Sequence, residues 1–279
     1  MKTQKRKRVS DKRLSPESSS SSSSEDEDED GGIMLESTVS GGSEMGEKVE
    51  TNEAEFVFLQ MSEQHWFGCK TLLGSNVLHG PHSSALAEVI VGQVAVGTLL
   101  GNCDSDIFAL ASVINIDDVN LTRITGVNSV IKAVVGAAPT TVKSRVEELF
   151  SGGGKRGREV GWYVSERFVN TPLTLVASLL ETLSDDLDWA VENAEGDGCN
   201  GKTEAQMYEF EKLFFLAPIV TDDEKNEVLK NFEDDVLVRN SEYSYKVQIG
   251  SKPFMFACIS MKKFKTSLKG LTRSWSSST

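Results

Sequence analysis

Residues 160–183 read VGWYVSERFVNTPLTLVASLLETL, and this stretch carries the clearest fold signal in the chain. Its first part, residues 160–168, has the short apolar run of a β-strand. Thr171 followed by Pro172 is typical of a helix start, with the threonine at the cap and the proline in the first turn. The predicted helix presents one apolar stripe, made of Leu173, Val176, Leu179, Leu180 and Leu183. A strand that leads into such a helix is the building unit of an α/β or α+β domain.

Two charged residues interrupt this predicted strand. The two-residue period places Glu166 on the face of Trp162, and Arg167 on the face of Tyr163. Because an unpaired buried charge is very costly, each of the two needs a charged or polar partner. Two interpretations stay open: a polar network that fixes the strand to the following helix, which we favour, or a partner-binding site at the strand end.

The rest of the chain outward from this stretch predicts further alternating elements. Apolar runs predict strands at residues 56–61, 94–100, 107–116, 208–216, 243–249 and 254–260. Helical spacing or capping residues predict helices after Ser62, after Pro81, over 127–135 and 142–150, from Ser184, and over the basic stretch to Leu271. Residues 221–241 are charged and predicted to be mostly loop or solvated helix. The order indicates a single α/β (α+β) domain, with a mixed central sheet and helices on both faces.

Three regions follow from composition. Residues 1–54 are predicted to be a disordered acidic tail, residues 55–272 a globular domain, and residues 273–279 a frayed end. A dense basic cluster lies near the start of the tail, at Lys5, Arg6, Lys7 and Arg8. Such a cluster suits the acidic grooves of nuclear import receptors, so we expect a nuclear protein. A nonspecific nucleic-acid arm and a merely solvated terminus are the alternatives.

The tail also carries candidate phosphorylation sites. A serine run precedes the acidic run 25–30, and Ser22, Ser23 and Ser24 each lie three residues before an acid. That spacing is typical of substrates of acid-directed kinases, and phosphorylation there would deepen the negative charge. Ser15, which precedes Pro16, is a weaker, proline-directed candidate.

The charge of the chain is segregated along its length. The formal net charge is −13, with 29 Lys+Arg against 42 Asp+Glu. Residues 181–242 hold 18 acids and 5 bases, whereas residues 243–279 hold 7 bases and no acid. Two interpretations stay open: the acidic segment selects a basic partner, or the basic end simply docks on it. Nucleic-acid binding through the body is not expected, because phosphate contacts need clustered cations.

No pattern of catalytic or cofactor-binding residues stands out. The glycine run 152–157 lacks the spacing of a P-loop, residues 158–163 match an acyl-coenzyme A turn poorly, and a GxSxG elbow is absent. His79 and His82 flank Pro81 without a nearby acid or cysteine, so a surface loop pair is favoured over a metal site. We therefore expect no catalytic residue, no metal and no cofactor.

Membrane insertion and disulfide bonding are not indicated either. No apolar run approaches the length of a membrane span, and the basic N-terminus lacks the apolar region of a signal peptide. The four cysteines form no CxxC pair, which fits free thiols in a reducing compartment.

The stretch from Gly161 to Pro172, with the segment 180–190 (LETLSDDLDWA), resembles the signature of the BCCIP protein family. The family pattern is an apolar strand, SERF, Ile/Val-Asn, a proline, a helix, and Asp-x-x-Trp-Ala. The motif positions here are Ser165, Glu166, Arg167, Phe168, Asn170 and Pro172. Weaker matches lie at 67–73, 96–98, 114–116, 232–237 and the final hairpin with its helix, so the resemblance covers roughly residues 55–271.

The resemblance implies a nuclear protein with an acetyltransferase-like fold that acts as a protein-binding adaptor or chaperone and not as an enzyme. In fungi the family's role concerns a large-subunit ribosomal protein and nuclear export of a lipid kinase. In animals it concerns cell-cycle control and recombinational repair. Two departures matter: Ala177-Ser178 replaces the Pro-Leu of many members, and their lysine-rich insert is missing after Leu216.

The leading hypothesis is therefore a non-enzymatic nuclear adaptor or chaperone that can shuttle to the cytoplasm. Its acidic segments, 25–30 and 181–242, would screen a basic client such as a large-subunit ribosomal protein. The alternatives are an acyl-coenzyme A-dependent acyltransferase on a related fold and a nucleic-acid binder.

Overall fold

The computed structural model describes residues 33–35, 54–102, 106–151, 159–199 and 201–276. Most of the predicted tail lies outside these ranges, including Lys5–Arg8, Ser15 and Ser22–Ser24. The strands are β1 (Ile33–Leu35), β2 (Ala54–Gln60), β3 (Thr98–Gly101), β4 (Ile107–Asn115), β5 (Glu159–Arg167), β6 (Phe210–Thr221), β7 (Glu227–Leu229), β8 (Tyr243–Ile249) and β9 (Lys252–Ser260).

The helices of the described ranges are α1 (Trp66–Gly74), α2 (Ser83–Gly92), α3 (Val119–Thr122), α4 (Thr125–Ala137), α5 (Lys143–Phe150), α6 (Leu173–Asn193), α7 (Glu204–Met207), α8 (Phe232–Asn240) and α9 (Met261–Ser276). Short 3₁₀ segments, Glu63–His65 and Gly80–His82, precede α1 and α2. The last helix thus continues to Ser276, past residue 273, where the frayed end was predicted to begin.

The strands form one mixed sheet in the order β1-β2-β3-β4-β5-β6-β9-β8, with β7 paired to the far end of β6. Neighbours are antiparallel except for β5 and β6, which run parallel. The predicted hairpin of β3 and β4 is present, although β3 begins only at Thr98. The predicted fold class, a mixed α/β domain around one central sheet, is confirmed.

Helices cover both faces of the sheet. Successive strand residues point to opposite sides, and apolar residues on both sides are buried under helices. On one face, buried residues of α1, α2, α4 and α5 share one apolar cluster with Trp162 and Val164 of β5. On the other face α6, α8 and α9 pack around Tyr163. The alternation predicted for the SERF strand therefore decides which helices each of its residues meets.

Strands β5 and β6 pair only over their first halves. Their pairing ends at Trp162 and Phe214, and from Ile219 onward β6 pairs with β7. Gly161 lies in the paired part, where an added Cβ would come within 2.4 Å of Val113 Cγ1. The carboxyl ends of the two parallel strands thus border a crevice, the usual position of a ligand site in an α/β sheet.

The predicted helix start at Ser184 is wrong. The pattern at Ser184 predicted a new helix, but α6 runs unbroken from Leu173 to Asn193. The apolar stripe continues through Leu187 and Ala190, so burial against the sheet outweighs the local start signal. Asp186 accepts a hydrogen bond from Thr98 Oγ1 at 2.9 Å, which ties α6 to β3.

The predicted side-chain caps are also not formed. Ser62 makes no cap hydrogen bond to the segment after it. Thr171 Oγ1 is buried without a hydrogen-bond partner among the described residues, and α6 begins only after Pro172. Both segments are held by the burial of the residues that follow.

Candidate functional site: the strand-end crevice and an acidic cleft

Glu166 reaches into the crevice between β5 and β6, where it is 7% exposed. Asn76 Nδ2, from the loop between α1 and α2, donates to Glu166 Oε1 at 2.5 Å. His79 Nε2 lies 3.4 Å from the same oxygen, and the His79 ring packs on Trp162 with centroids 5.6 Å apart. The carboxylate therefore has polar partners from a different segment, which is the type of partner that the sequence required.

Arg167 points to the opposite face and forms a buried ion pair with Glu233 at the start of α8. Arg167 Nε donates to Glu233 Oε1 at 2.9 Å and Nη2 donates to Oε2 at 3.3 Å. The two side chains are 10% and 2% exposed. Such a bidentate pair fixes both partners in orientation as well as in distance, and it joins the end of β5 to α8.

Asp234, the neighbour of Glu233, is the third acid of this region. Burial, followed by the charge of the nearby Glu233, raises the pKa of the Asp234 carboxyl to about 7, against a hydrogen bond that Asn231 Nδ2 donates at 2.9 Å. Glu233 and Asp234 are 1% and 6% exposed. The expectation of loop or solvated helix over residues 221–241 is thus wrong at α8, because Leu237 anchors the helix in the core.

Side chains fill the crevice almost completely. The space left among His79, Trp162, Glu166 and Asp234 measures about 20 Å³. A cavity of that size holds about one water molecule. The position at which an α/β sheet would place a ligand is therefore occupied by the protein's own polar network.

The other motif residues surround the exit of β5. Ser165 is half-buried and pairs with Ala111 of β4. Phe168 is partly exposed and contacts Phe108, with ring centroids 6.4 Å apart. Asn170 is exposed in the turn, and Pro172 immediately precedes α6. The motif thus combines buried ion-pairing residues with an exposed end.

A larger concave site lies where α2, β4, α3 and the chain around α7 meet. This acidic cleft has a volume of about 640 Å³. Four carboxylates line it against one cation, Arg123; they belong to Glu88, Asp118, Asp197 and Glu204. Its apolar lining includes Ala85, Val89, Ile124 and Met207. Carboxylates beside apolar walls suit lysine and arginine, whose aliphatic stems need packing while their heads need charge.

A buried polar group supports the wall of this cleft. Asn115 donates from Nδ2 to Glu159 Oε2 at 2.6 Å and to the Met207 carbonyl at 2.7 Å. Lys202 also donates to the buried Glu159. These contacts hold the segment around α7 against β4 and β5, so the acidic lining has a defined position.

Further acids line the exposed side of α6 at positions spaced by one helical turn. Glu181, Asp185, Asp188 and Glu192 are exposed there, and we name them the α6 ridge. Within it, Asp188 pairs with Lys265 of the basic helix α9. The acidic segment and the basic end are thus in contact, through a single described ion pair on this ridge.

The histidines and cysteines do not form a metal centre in the described residues. His79 is 3% exposed and belongs to the crevice, so the predicted surface loop pair is wrong for this residue. Burial lowers the pKa of His82 to about 4, with His79 adding to the effect. Cys69 and Cys258 are buried free thiols, and burial raises the pKa of Cys69 to about 12.

None of the helices in the described ranges is both long and apolar enough to cross a membrane. The longest, α6, carries the exposed acidic ridge on one side.

Comparisons with known proteins agree on one family. A family model described as BCCIP matches residues 52–252. The Protein BCCIP homolog of Arabidopsis thaliana is 27% identical over 164 residues, covering 57% of this chain and 48% of that protein. The Protein BCCIP homolog of Drosophila melanogaster is 22% identical over 192 residues, covering 60% of this chain and 59% of that protein. The matches span about half the length of these curated relatives.

A solved structure has a similar fold. The crystal structure of BCP1 from Saccharomyces cerevisiae superposes with a TM-score of 0.58 at 15% sequence identity. The match covers 78% of this chain and 87% of the yeast chain. At this level of identity the likeness concerns the fold.

Proposed function

This chain belongs to the BCCIP family, and from that premise we propose that it is a non-enzymatic nuclear adaptor or chaperone for a basic protein client. A large-subunit ribosomal protein fits this description, because such proteins carry dense positive charge that must be screened before assembly. Roles in nuclear export, cell-cycle control or DNA repair would follow from the partner that is held. The basic cluster Lys5–Arg8 would supply nuclear import.

The acidic cleft is the observation that carries the proposal. Four carboxylates face one arginine in a cleft of about 640 Å³, with apolar walls between them. An extended lysine- or arginine-bearing segment can place its stems on those walls and its charges on the carboxylates. Counter-charge would lower the client's nonspecific binding to RNA, and long-range attraction would speed encounter.

The filled crevice supports the absence of catalysis in this proposal. The polar network at the ends of β5 and β6 leaves about 20 Å³, too little for an acyl-coenzyme A molecule. The acyltransferase alternative predicts that acetyl-coenzyme A raises the melting temperature, whereas the adaptor proposal predicts no shift.

Charge-neutralising variants test the proposal directly. The cleft variant carries Glu88→Gln, Asp197→Asn and Glu204→Gln, and its control carries Glu181→Gln, Asp185→Asn and Glu192→Gln on the α6 ridge. Both remove three charges from the full chain. Binding of a purified large-subunit ribosomal protein is measured by calorimetry at low and physiological salt. At about 0.2–1 kcal/mol for each exposed charge pair, the cleft variant should bind about 3- to 150-fold more weakly.

The control separates local recognition from net charge. We expect the α6 variant to lose only a minor part of the affinity, since its carboxylates lie outside the cleft lining. Equal losses in the two variants would contradict a role of the cleft, and unchanged binding in both would contradict acidic capture altogether. Affinity purification of the full chain with mass spectrometry then identifies the natural client.

A further inference from the structure

The first turn of α8 closes the crevice between β5 and β6. Asn231 and Asp234 line the remaining cavity together with Glu166 of β5 and Pro218 of β6. Lys230 N donates to the Pro218 carbonyl at 2.9 Å, which holds the chain before α8 against β6. The start of α8 is therefore positioned by contacts to both diverging strands.

The charges around Asp234 do not balance. Three buried carboxylates meet here, those of Glu166, Glu233 and Asp234. Arg167 is the one permanent cation among the groups that act on Asp234, and it is engaged by both oxygens of Glu233. Glu166 is satisfied by Asn76 and His79. Asp234 is left with one neutral donor, Asn231.

The other elements around this turn add no compensating charge. The β6 residues that line the cavity, Phe215, Leu216 and Pro218, carry none. Further along α8, Asp235 pairs with Arg239 at 2.5 Å. On β7, Glu227 pairs with Lys246 of β8. The exposed lysines of α9 that are described, Lys262, Lys263 and Lys269, do not act on the Asp234 carboxyl.

Ionisation of Asp234 would therefore leave a third buried negative charge beside Glu233. We propose that the first turn of α8 is a pH-controlled latch, which is docked on the ends of β5 and β6 while Asp234 is protonated and loosens when Asp234 ionises. Protonation removes the repulsion between neighbouring carboxyls without removing the Asn231 hydrogen bond, because a protonated carboxyl still accepts.

The raised pKa of Asp234 determines how docking of the turn depends on pH. The docked pKa of about 7 lies above the ordinary value of 3.8, so the docked turn holds a proton that the open turn releases. Docking is therefore favoured at low pH, weakens as the pH rises from about 4 to about 7, and is constant above that. One pH unit in this window changes the opening constant about tenfold.

Loosening of the first turn of α8 would also change a neighbouring surface groove. Asn231 and Phe232 also line an open groove of about 560 Å³, shared with Ile219, Leu229 and Val238. Phe232 is 52% exposed at its rim. The shape of this groove thus depends on the same turn, so the latch would couple pH to a surface on the α8 side of the domain.

Hydrogen exchange of the full chain tests the latch. The amides of α8 are followed at pH 5, 6, 7 and 8, and their protection is corrected for the intrinsic pH dependence of exchange. In the wild type we expect about tenfold loss of protection for each pH unit between 5 and 7. The Asp234→Asn variant, which mimics the protonated side chain, should show a flat profile. Asp235→Asn, on the same helix, should keep the wild-type slope.

A second variant keeps the test decisive if Asp234→Asn does not fold. Asn231→Ala removes the hydrogen bond that favours the ionised carboxyl, so the midpoint of the protection profile should move to higher pH. A flat wild-type profile would overturn the proposal, as would the same slope in Asp234→Asn. An unmoved midpoint in Asn231→Ala would also overturn it. None of these outcomes depends on client binding.

Discussion

Replacing Arg167 by methionine should destabilise the domain strongly, because it breaks the buried pair with Glu233. The arginine is 10% exposed, the glutamate 2%, and two hydrogen bonds of 2.9 and 3.3 Å join them. Removing one member of such a pair costs about 3–5 kcal/mol, since the other charge stays buried without compensation. Asp234, directly beside Glu233, places the expected value in the upper part of that range. A domain stable by about 5–15 kcal/mol would lose a large share of its stability.

Urea unfolding, followed by tryptophan fluorescence, to which the buried Trp162 contributes, measures this loss. The double variant Arg167→Met, Glu233→Met removes both charges and should recover to within about 1–2 kcal/mol of the wild type. Arg145→Met is the matched control, because Arg145 pairs with Glu242 at 2.9 Å but is 47% exposed. An exposed pair contributes at most about 1 kcal/mol.

The outcome decides between the two interpretations of the motif. If Arg167→Met lowers the free energy of unfolding no more than Arg145→Met does, the buried pair with Glu233 does not stabilise the fold. A partner-contact role would instead appear as lost client binding at unchanged stability. The geometry favours a structural role for Arg167, because Glu233 covers its charged end. The pair joins β5 to α8, however, and not to the helix after Pro172 as the sequence predicted.

Three further changes probe the sheet and its two faces. Gly161→Ala should cost about 1–3 kcal/mol in thermal unfolding, because the new methyl would lie 2.4 Å from Val113 Cγ1 in the centre of the sheet. Tyr245→Phe should cost about 1 kcal/mol in urea unfolding, because the Tyr245 hydroxyl donates to the buried Val134 carbonyl at 2.8 Å. His82 has its pKa lowered to about 4 by burial, so it should reduce stability as pH falls from about 6.5 to 4. His82→Phe should remove that part of the acid sensitivity, and an unchanged acid limb would contradict it.

Periodicity predicted the parts of the fold that depend on burial alone. The alternation in β5 placed Trp162 and Tyr163 on opposite faces, as observed. It failed where a local start signal competed with a longer apolar stripe, as at Ser184 within α6. Packing against the sheet decides where the helix begins, and a local sequence pattern gives no information on that packing.

Local sequence patterns predicted even less of the candidate sites. The need of Glu166 and Arg167 for partners followed from electrostatics, but the identity of those partners did not. His79 and Glu233 lie 87 and 66 positions from those residues in sequence, and only the tertiary fold brings them together. Likewise, the acidic cleft collects carboxylates from well separated segments. The excess of acids after residue 181 includes Asp197 and Glu204 but not Glu88 and Asp118, so it pointed to half of these carboxylates.

The carboxylates of the segment 181–242 have different tasks. Glu233 and Asp234 are buried and determine how α8 docks. Two acids, Asp188 and Glu227, pair with Lys265 and Lys246 of the basic end. Those pairs are partly exposed and contribute at most about 1 kcal/mol each.

Among the remaining acids, Asp235 and Glu242 pair with Arg239 and Arg145, and the exposed acids of the cleft and of the α6 ridge supply the external field. Helix α9 is held chiefly by the burial of Phe264, Leu268 and Leu271, and not by its charges. Both interpretations of the charge segregation therefore apply, each to different residues. Salt should accordingly weaken attraction to a basic client while leaving α9 in place, because screening acts on exposed charges and not on apolar burial. If salt released α9 instead, the basic end would be the principal counter-charge of the segment. That result would contradict the proposal that the cleft binds a basic client.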